Sequence, residues 1–174
     1  MRQRLVLALV FAGLVSAAAQ EVSLEYRVKA AYLFNFTRFV DWPAAAFANG
    51  PSFTVCVAGT NPFGPVLSST LAGETASGRA FASRVVGGDA ASCHILFIPR
   101  GVSPTPYLRR LGAAPVLTVG ESPEFINQGG MVNFVLEDGR VRFEVNPQAA
   151  AKSQLKISSR LLQLARVVSP PGGR

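Results

Sequence analysis

Along residues 22–40 the apolar positions fall at helical spacing. Val28, Ala31, Tyr32, Asn35, Phe36 and Phe39 recur every three or four residues and define one face of a helix. Leu33 and Phe34 widen that stripe beyond half the circumference, as in a helix buried on most sides. Asp41-Trp42-Pro43 ends it, because the residue before a proline avoids helical backbone. The pattern then changes to short apolar runs. Residues 53–57 follow the polar turn Asn49-Gly50-Pro51 and predict a buried strand. Asn61 offers an N-cap and Pro62 a first helical residue, so a short helix is expected to about Leu71. Residues 79–86, 93–98 and 116–119 are further strands. Between them Ser103-Pro104 opens a helix through Leu111, and Ser122-Pro123 opens a shorter one that Gly129 stops. Residues 131–136 and 141–145 flank Glu137-Asp138-Gly139-Arg140, and Asp-Gly between two such runs marks a hairpin. Asn146-Pro147 then caps a last helix running towards Val168, with Leu155, Ser158, Leu161, Leu162 and Ala165 inward.

Strands alternating with helices and closed by a hairpin predict an α/β fold. The expected form is a single-domain layered fold: a mostly parallel, mixed sheet, helices on both faces, and a C-terminal β-hairpin plus helix. The domain spans residues 22–169. Ahead of it, Met1-Arg2-Gln3-Arg4 is a positive segment, residues 5–15 are apolar, and Ser16-Ala17-Ala18-Ala19 supplies small residues. That is the pattern of a secretory signal peptide over residues 1–19, cleaved near Ala19, and it predicts a periplasmic protein. The apolar run is short of the ~20 residues that span a bilayer. Residues 170–174, Pro-Pro-Gly-Gly-Arg, read as a flexible tail.

Composition changes this picture little. Hydrophobic residues make up 49% and charged residues 16%, enough to bury a core. The formal charge of +7 falls to +5 once Arg2 and Arg4 leave with the signal segment, and no dense Lys/Arg run with interleaved aromatics suggests nucleic acid. Export matters more, because it changes the reading of the two cysteines. In an oxidising compartment Cys56 and Cys93 are the only possible partners for each other within the chain, and a bridge is expected over the alternative of two buried free thiols. Cys56 is late in its strand and Cys93 at the start of its own, so a bridge requires staggered strands or a bend at one end.

Catalytic chemistry is sparse. Gly59 and Gly64 have the spacing of a phosphate loop, but Pro65-Val66 stands where Lys-Ser/Thr is needed. His94 is the one histidine, too few for zinc beside a cysteine expected to be oxidised. Ser68-Ser69 and Ser158-Ser159 have no neighbouring base and no Gly-x-Ser-x-Gly elbow. Glu121 and Glu124 are one helical step apart and read as companions of a helix N-terminus. Gly87-Gly88-Asp89 is a turn. These features predict no enzyme, no cofactor and no metal. Two binding features remain. In open α/β sheets ligands settle at the carboxyl ends of strands, which points to Thr60 and Asn61 as a small-ligand cleft. From Lys152 onward the chain carries Lys152, Lys156, Arg160, Arg166 and Arg174 and no acid, and on one helix the first three would form a stripe.

Several stretches resemble the YfiR family. They include Lys29-Ala30-Ala31-Tyr32-Leu33-Phe34-Asn35-Phe36-Thr37-Arg38-Phe39-Val40-Asp41-Trp42-Pro43 and Val57-Ala58-Gly59-Thr60-Asn61-Pro62-Phe63-Gly64. Cys93-His94-Ile95-Leu96-Phe97-Ile98, Gly129-Gly130-Met131-Val132-Asn133-Phe134, Val141-Arg142-Phe143-Glu144-Val145-Asn146 and the stretch 155–165 follow in order. The resemblance implies a periplasmic, homodimeric repressor that binds the periplasmic domain of an inner-membrane diguanylate cyclase of the YfiN type. An outer-membrane lipoprotein of the YfiB type, or redox damage, would release it, and cyclic di-GMP and biofilm formation would rise. Cys56 and Cys93 resemble one of the family's two disulfide pairs; the second pair has no counterpart here. The partner surface is expected on the hairpin and last helix, at Arg142, Phe143, Glu144, Asn146, Lys156 and Ser158.

Overall fold

A computed structural model describes residues 22–48 and 50–169; the expected signal segment at 1–19 and the expected tail at 170–174 lie outside them. The chain begins with α1 (Leu24–Phe36), a two-residue β1 (Val40–Asp41) and a 3-10 turn (Ala44–Phe47). Then come β2 (Phe53–Ala58), α2 (Val66–Leu71), β3 (Thr75–Ala76), β4 (Arg79–Val86), β5 (Ile95–Ile98), α3 (Thr105–Leu111) and β6 (Leu117–Gly120). The hairpin is β7 (Val132–Glu137) and β8 (Arg140–Val145). After it come α4 (Pro147–Lys152), β9 (Lys156–Ile157), α5 (Ser159–Leu164) and β10 (Arg166–Val167).

Eight strands form one sheet in the order β10-β8-β7-β6-β5-β2-β4-β3. From β4 to β7 every pairing is parallel, and the central strands β2, β5 and β6 are apolar and buried on both faces, whereas β4 is largely exposed. Only β3, against β4, and β8, against β7, run antiparallel to a neighbour. The expected mixed α/β sheet with a closing hairpin is therefore the observed one. Side chains alternate between two clusters. Phe53, Val55 and Val57 of β2 join the larger, which also buries Leu33 and Phe36 of α1, Phe134, Phe143 and Leu161. Cys56 and Ala58 join the smaller, with Leu96, Ile98, Tyr107, Leu111 and Phe125.

Four sequence expectations need correction. The first helix stops at Phe36, four residues early, so that Val40 can pair with Ile157 in a small antiparallel ribbon of β1 and β9. Its buried residues are Lys29, Ala30, Leu33 and Phe36, with Ala31 and Asn35 of the expected face exposed. Asn61-Pro62 opens a turn, with α2 starting at Val66: the Asn61 Oδ1 accepts from the Phe63 N–H at 2.9 Å and its Nδ2 donates to the Gly64 carbonyl. Residues 122–129 form successive turns in place of a helix. They carry Phe125 into the smaller cluster, its ring lying against Gly120 and Gly130, where an added Cβ would come within 2.4 and 2.2 Å of it. The last helix is two. Asn146 caps α4 as expected, its Oδ1 accepting from the Ala149 N–H at 3.1 Å. Gln154 then takes a positive φ of 59°, which turns Leu155 into the core and frees Lys156–Ile157 to pair as β9. Ser158 caps α5 by accepting from the Leu161 N–H.

Cys56 and Cys93 are bridged, with Cα atoms 5.9 Å apart. In register Val55 faces Ile95 and Cys56 faces Leu96, so a straight β5 would hold Cys93 away. The chain bends at His94, whose N–H donates to the Thr54 carbonyl at 2.8 Å, and Cys93 is thereby brought to Cys56. A bend at one strand end is what the bridge requires.

Candidate functional site

The edge of the sheet at the hairpin carries Arg142 and Glu144 of the polar residues that sequence points to, together with others that it does not, while Lys156 is on β9 in the separate ribbon with β1. Arg142 and Lys156 are exposed. Glu144 is half-buried beside Arg166, whose Nε donates to Glu144 Oε1 at 3.0 Å and whose Nη1 pairs with Glu137 at 3.0 Å. These bonds stabilise the charged form of Arg166 and hold β10 against β8. Three of the five large hydrophobic side chains that stand exposed among the described residues, Leu136, Leu164 and Val167, are on the elements flanking this network. Only Glu144 and Val145 of β8 are paired by β10, so the outer edge of β8 at residues 140–143 is open.

The other predicted partner residues work from beneath. Phe143 is buried against Tyr32 and Phe36, with ring centroids 5.3 and 5.4 Å away. Asn146 is buried as the cap of α4, and Ser158 is half-buried as the cap of α5. The basic stripe is also broken up, since Lys152 ends α4, Lys156 begins β9 and Arg160 is in α5. Thr60 and Asn61 are exposed at the carboxyl end of β2, and the Asn61 amide is occupied at both ends by its own turn.

Where β6 ends beside β7, a cavity of about 560 Å³ opens, lined by Arg100, Glu121, Asn133, Phe134, Glu144 and Arg166 among others. Asn133 is almost fully buried. Its Nδ2 donates to Glu144 Oε2 at 3.3 Å and its Oδ1 has no partner. Behind the cavity is an ion cluster. The Glu121 carboxylate is fully buried and accepts from the Lys29 ammonium, from the Tyr26 hydroxyl at 2.9 Å and from the Arg100 N–H at 2.7 Å. Lys29, itself 1% exposed, also pairs with Glu25 one helical turn earlier. Burial and the neighbouring Glu121 carboxylate push the Tyr26 phenol above its ordinary range. Burying charges is costly, and this arrangement offsets that cost by giving the carboxylate three donors. The cluster pins α1 to the carboxyl ends of β5 and β6. Glu121 is thus a buried acceptor and not the helix companion its spacing with Glu124 suggests. One signal was available: Lys29 interrupts the apolar stripe of α1 with Glu25 four residues before it.

His94 stacks on Phe53 at 4.5 Å and Phe47 at 5.0 Å, and its Nδ1 accepts from the Thr54 N–H. Burial, and next the charge of Arg79, hold it below the ordinary histidine value. Among the described residues no three of His, Cys, Asp and Glu gather as a metal ion would need, and no helix is long and apolar enough to cross a membrane.

The fold and these surfaces define an α/β module with a polar hairpin edge and an ion-pinned first helix. The sequence model of the YfiR/HmsC-like family (DUF4154) matches residues 26–166, and the chain belongs to that family. A comparison with curated proteins finds no match.

Proposed function

We propose that this protein is a periplasmic regulatory protein that binds an inner-membrane diguanylate cyclase of the YfiN type, or a related sensor, and represses it. Cyclic di-GMP signalling is lowered as a result. The observation that carries this reading is the family match over residues 26–166, which takes in both α1 and the hairpin edge. Arg142, Lys156 and the Glu144–Arg166 pair supply charged contacts, with Leu136, Leu164 and Val167 as apolar anchors beside them. Phe143, Asn146 and Ser158 hold that surface in shape. The signal peptide over residues 1–19 delivers the chain to the periplasm, the working form is a homodimer, and a lipoprotein of the YfiB type relieves repression. No catalytic group is required for this role.

The test is a deletion strain complemented with the wild-type gene or with an Arg142→Glu/Leu136→Asp double variant. Deletion raises cyclic di-GMP and biofilm, wild type restores both, and the variant, folded to the same melting temperature, does not. Unchanged cyclic di-GMP on deletion would remove the cyclase from the scheme.

A further inference from the structure

At the opposite, amino end of the parallel strands, a second cavity of about 470 Å³ separates α3, the 126–131 loop and α4. Its size is that of a small-molecule site, ~300–1,000 Å³. Its walls are apolar: Leu111, Val116, Ile126 and Met131 are buried there and line it. Three buried polar residues, Thr118, Asn146 and Ser153, also line it. Each has donor capacity to spare. Thr118 Oγ1 accepts from the Met131 N–H, which leaves its own hydroxyl proton free. The Asn146 Oδ1 is committed to the cap of α4, while among the described residues its Nδ2 and the Ser153 Oγ have no hydrogen-bond partner. The ionic residues of the lining are Arg109 and Lys152, both exposed; no acid lines the cavity, and neither cation is ion-paired among the described residues.

We infer that this cavity binds a small organic carboxylate with an apolar body. The apolar walls take the body. The spare donors and the two cations take the anionic oxygens, for which hydrogen bonds to a charged group are the stronger kind. A cationic ligand would find no counter-charge, and a fully apolar one would take water from the spare donors without replacing its hydrogen bonds. The inference does not rest on the cyclase reading, although the cavity shares Asn146, the cap of α4, with the support of the hairpin edge.

Binding is measured by calorimetry and by amide chemical shifts on the mature chain with 4-phenylbutyrate and octanoate. The neutral 4-phenylbutyramide and the cationic 4-phenylbutylamine serve as controls. The carboxylates are expected to shift Thr118, Met131, Asn146 and Ser153, and to bind about tenfold more tightly than the amide, with no binding of the amine. The Arg109→Gln/Lys152→Gln variant changes two exposed side chains, so its melting temperature is unmoved. It loses the preference for acid over amide. Absence of carboxylate binding up to about 10 mM overturns the inference, as do equal affinities for acid and amide. Shifts confined to Thr60 and Asn61 overturn it as well.

Discussion

On the α1 side of the sheet, Phe36, Phe134 and Phe143 interlock with Tyr32 at centroid distances between 5.3 and 6.1 Å, and the ion cluster of Lys29, Glu25 and Glu121 anchors the helix above them. On the other side a smaller set around Leu96, Ile98 and Phe125 carries the Cys56–Cys93 bond. The first side has enough aromatic area to hold by burial and uses charge to fix where α1 ends up. The second has one seven-residue helix and a run of turns over it, so a covalent tie and one ring wedged between two glycines substitute for area. Stability and positioning are thus assigned to different chemistry on the two faces.

The sharpest way to break that contrast is Lys29→Met. It leaves the Glu121 carboxylate buried without its cation, and should cost about 3–5 kcal/mol in urea denaturation. Lys29→Met combined with Glu121→Gln should recover most of that loss, because the uncompensated charge is gone; if the double variant is no better than the single, the cluster is not the pin described here. Removing the bridge with Cys56→Ala/Cys93→Ala acts on the other face. For a sequence separation of 37 the loss should be at most about 4 kcal/mol. A comparable effect on the α1 face, read by tyrosine and phenylalanine near-UV signals, would contradict the division.

Gly130→Ala is smaller in atoms and nearly as informative. Its Cβ would be 2.2 Å from the Phe125 ring, so the 122–129 turns must shift, at about 1–3 kcal/mol. Chemical shifts should move around Phe125 and Tyr107 while those of Phe36 stay. The smallest effect is one of pH. His94 sits between the faces, adjacent to Cys93 yet stacked on Phe53, and its folded value is below the ordinary 6.5. The unfolded chain therefore takes up the proton first. The stabilising contribution of neutral His94 is complete above about pH 6.5 and is lost as pH falls through 6.5 towards the depressed folded value. Urea midpoints should drop between about pH 7.5 and 5.5 in the wild type and drop less in His94→Gln. Equal drops would assign the acid sensitivity to the carboxylates.

Much of this arrangement is legible along the chain. The apolar runs that became β2, β5 and β6 are buried on both faces, so their identity as parallel strands follows from their composition. Arg79–Val86 matches its predicted bounds, and Asp138-Gly139 closes the hairpin with both residues at positive φ, as that dipeptide allows. The misreadings share a cause. Residues 122–129 and 153–158 have capping residues and helical spacing, yet Phe125 is drawn into a gap between glycines and Ile157 into pairing with Val40. Both partners are remote in sequence, and local propensity is too weak to oppose such tertiary contacts. The same holds at the sites. Arg142 and Lys156 are exposed as a hydrophilic reading predicts, but Phe143 and Asn146 have their roles set by what lies above them.

By itself, the sequence determined the elements that bury area in periodic form, the hairpin, the cap of α4 and the supply of two cysteines. These depend on neighbours within a few residues or on composition. Only the tertiary structure decided that Glu121 meets Lys29, that Cys93 bends to Cys56, that the last helix divides, and that two cavities open at opposite ends of the strands. Each depends on the angle and register at which distant segments cross, and side-chain pattern along one segment carries no information about that crossing.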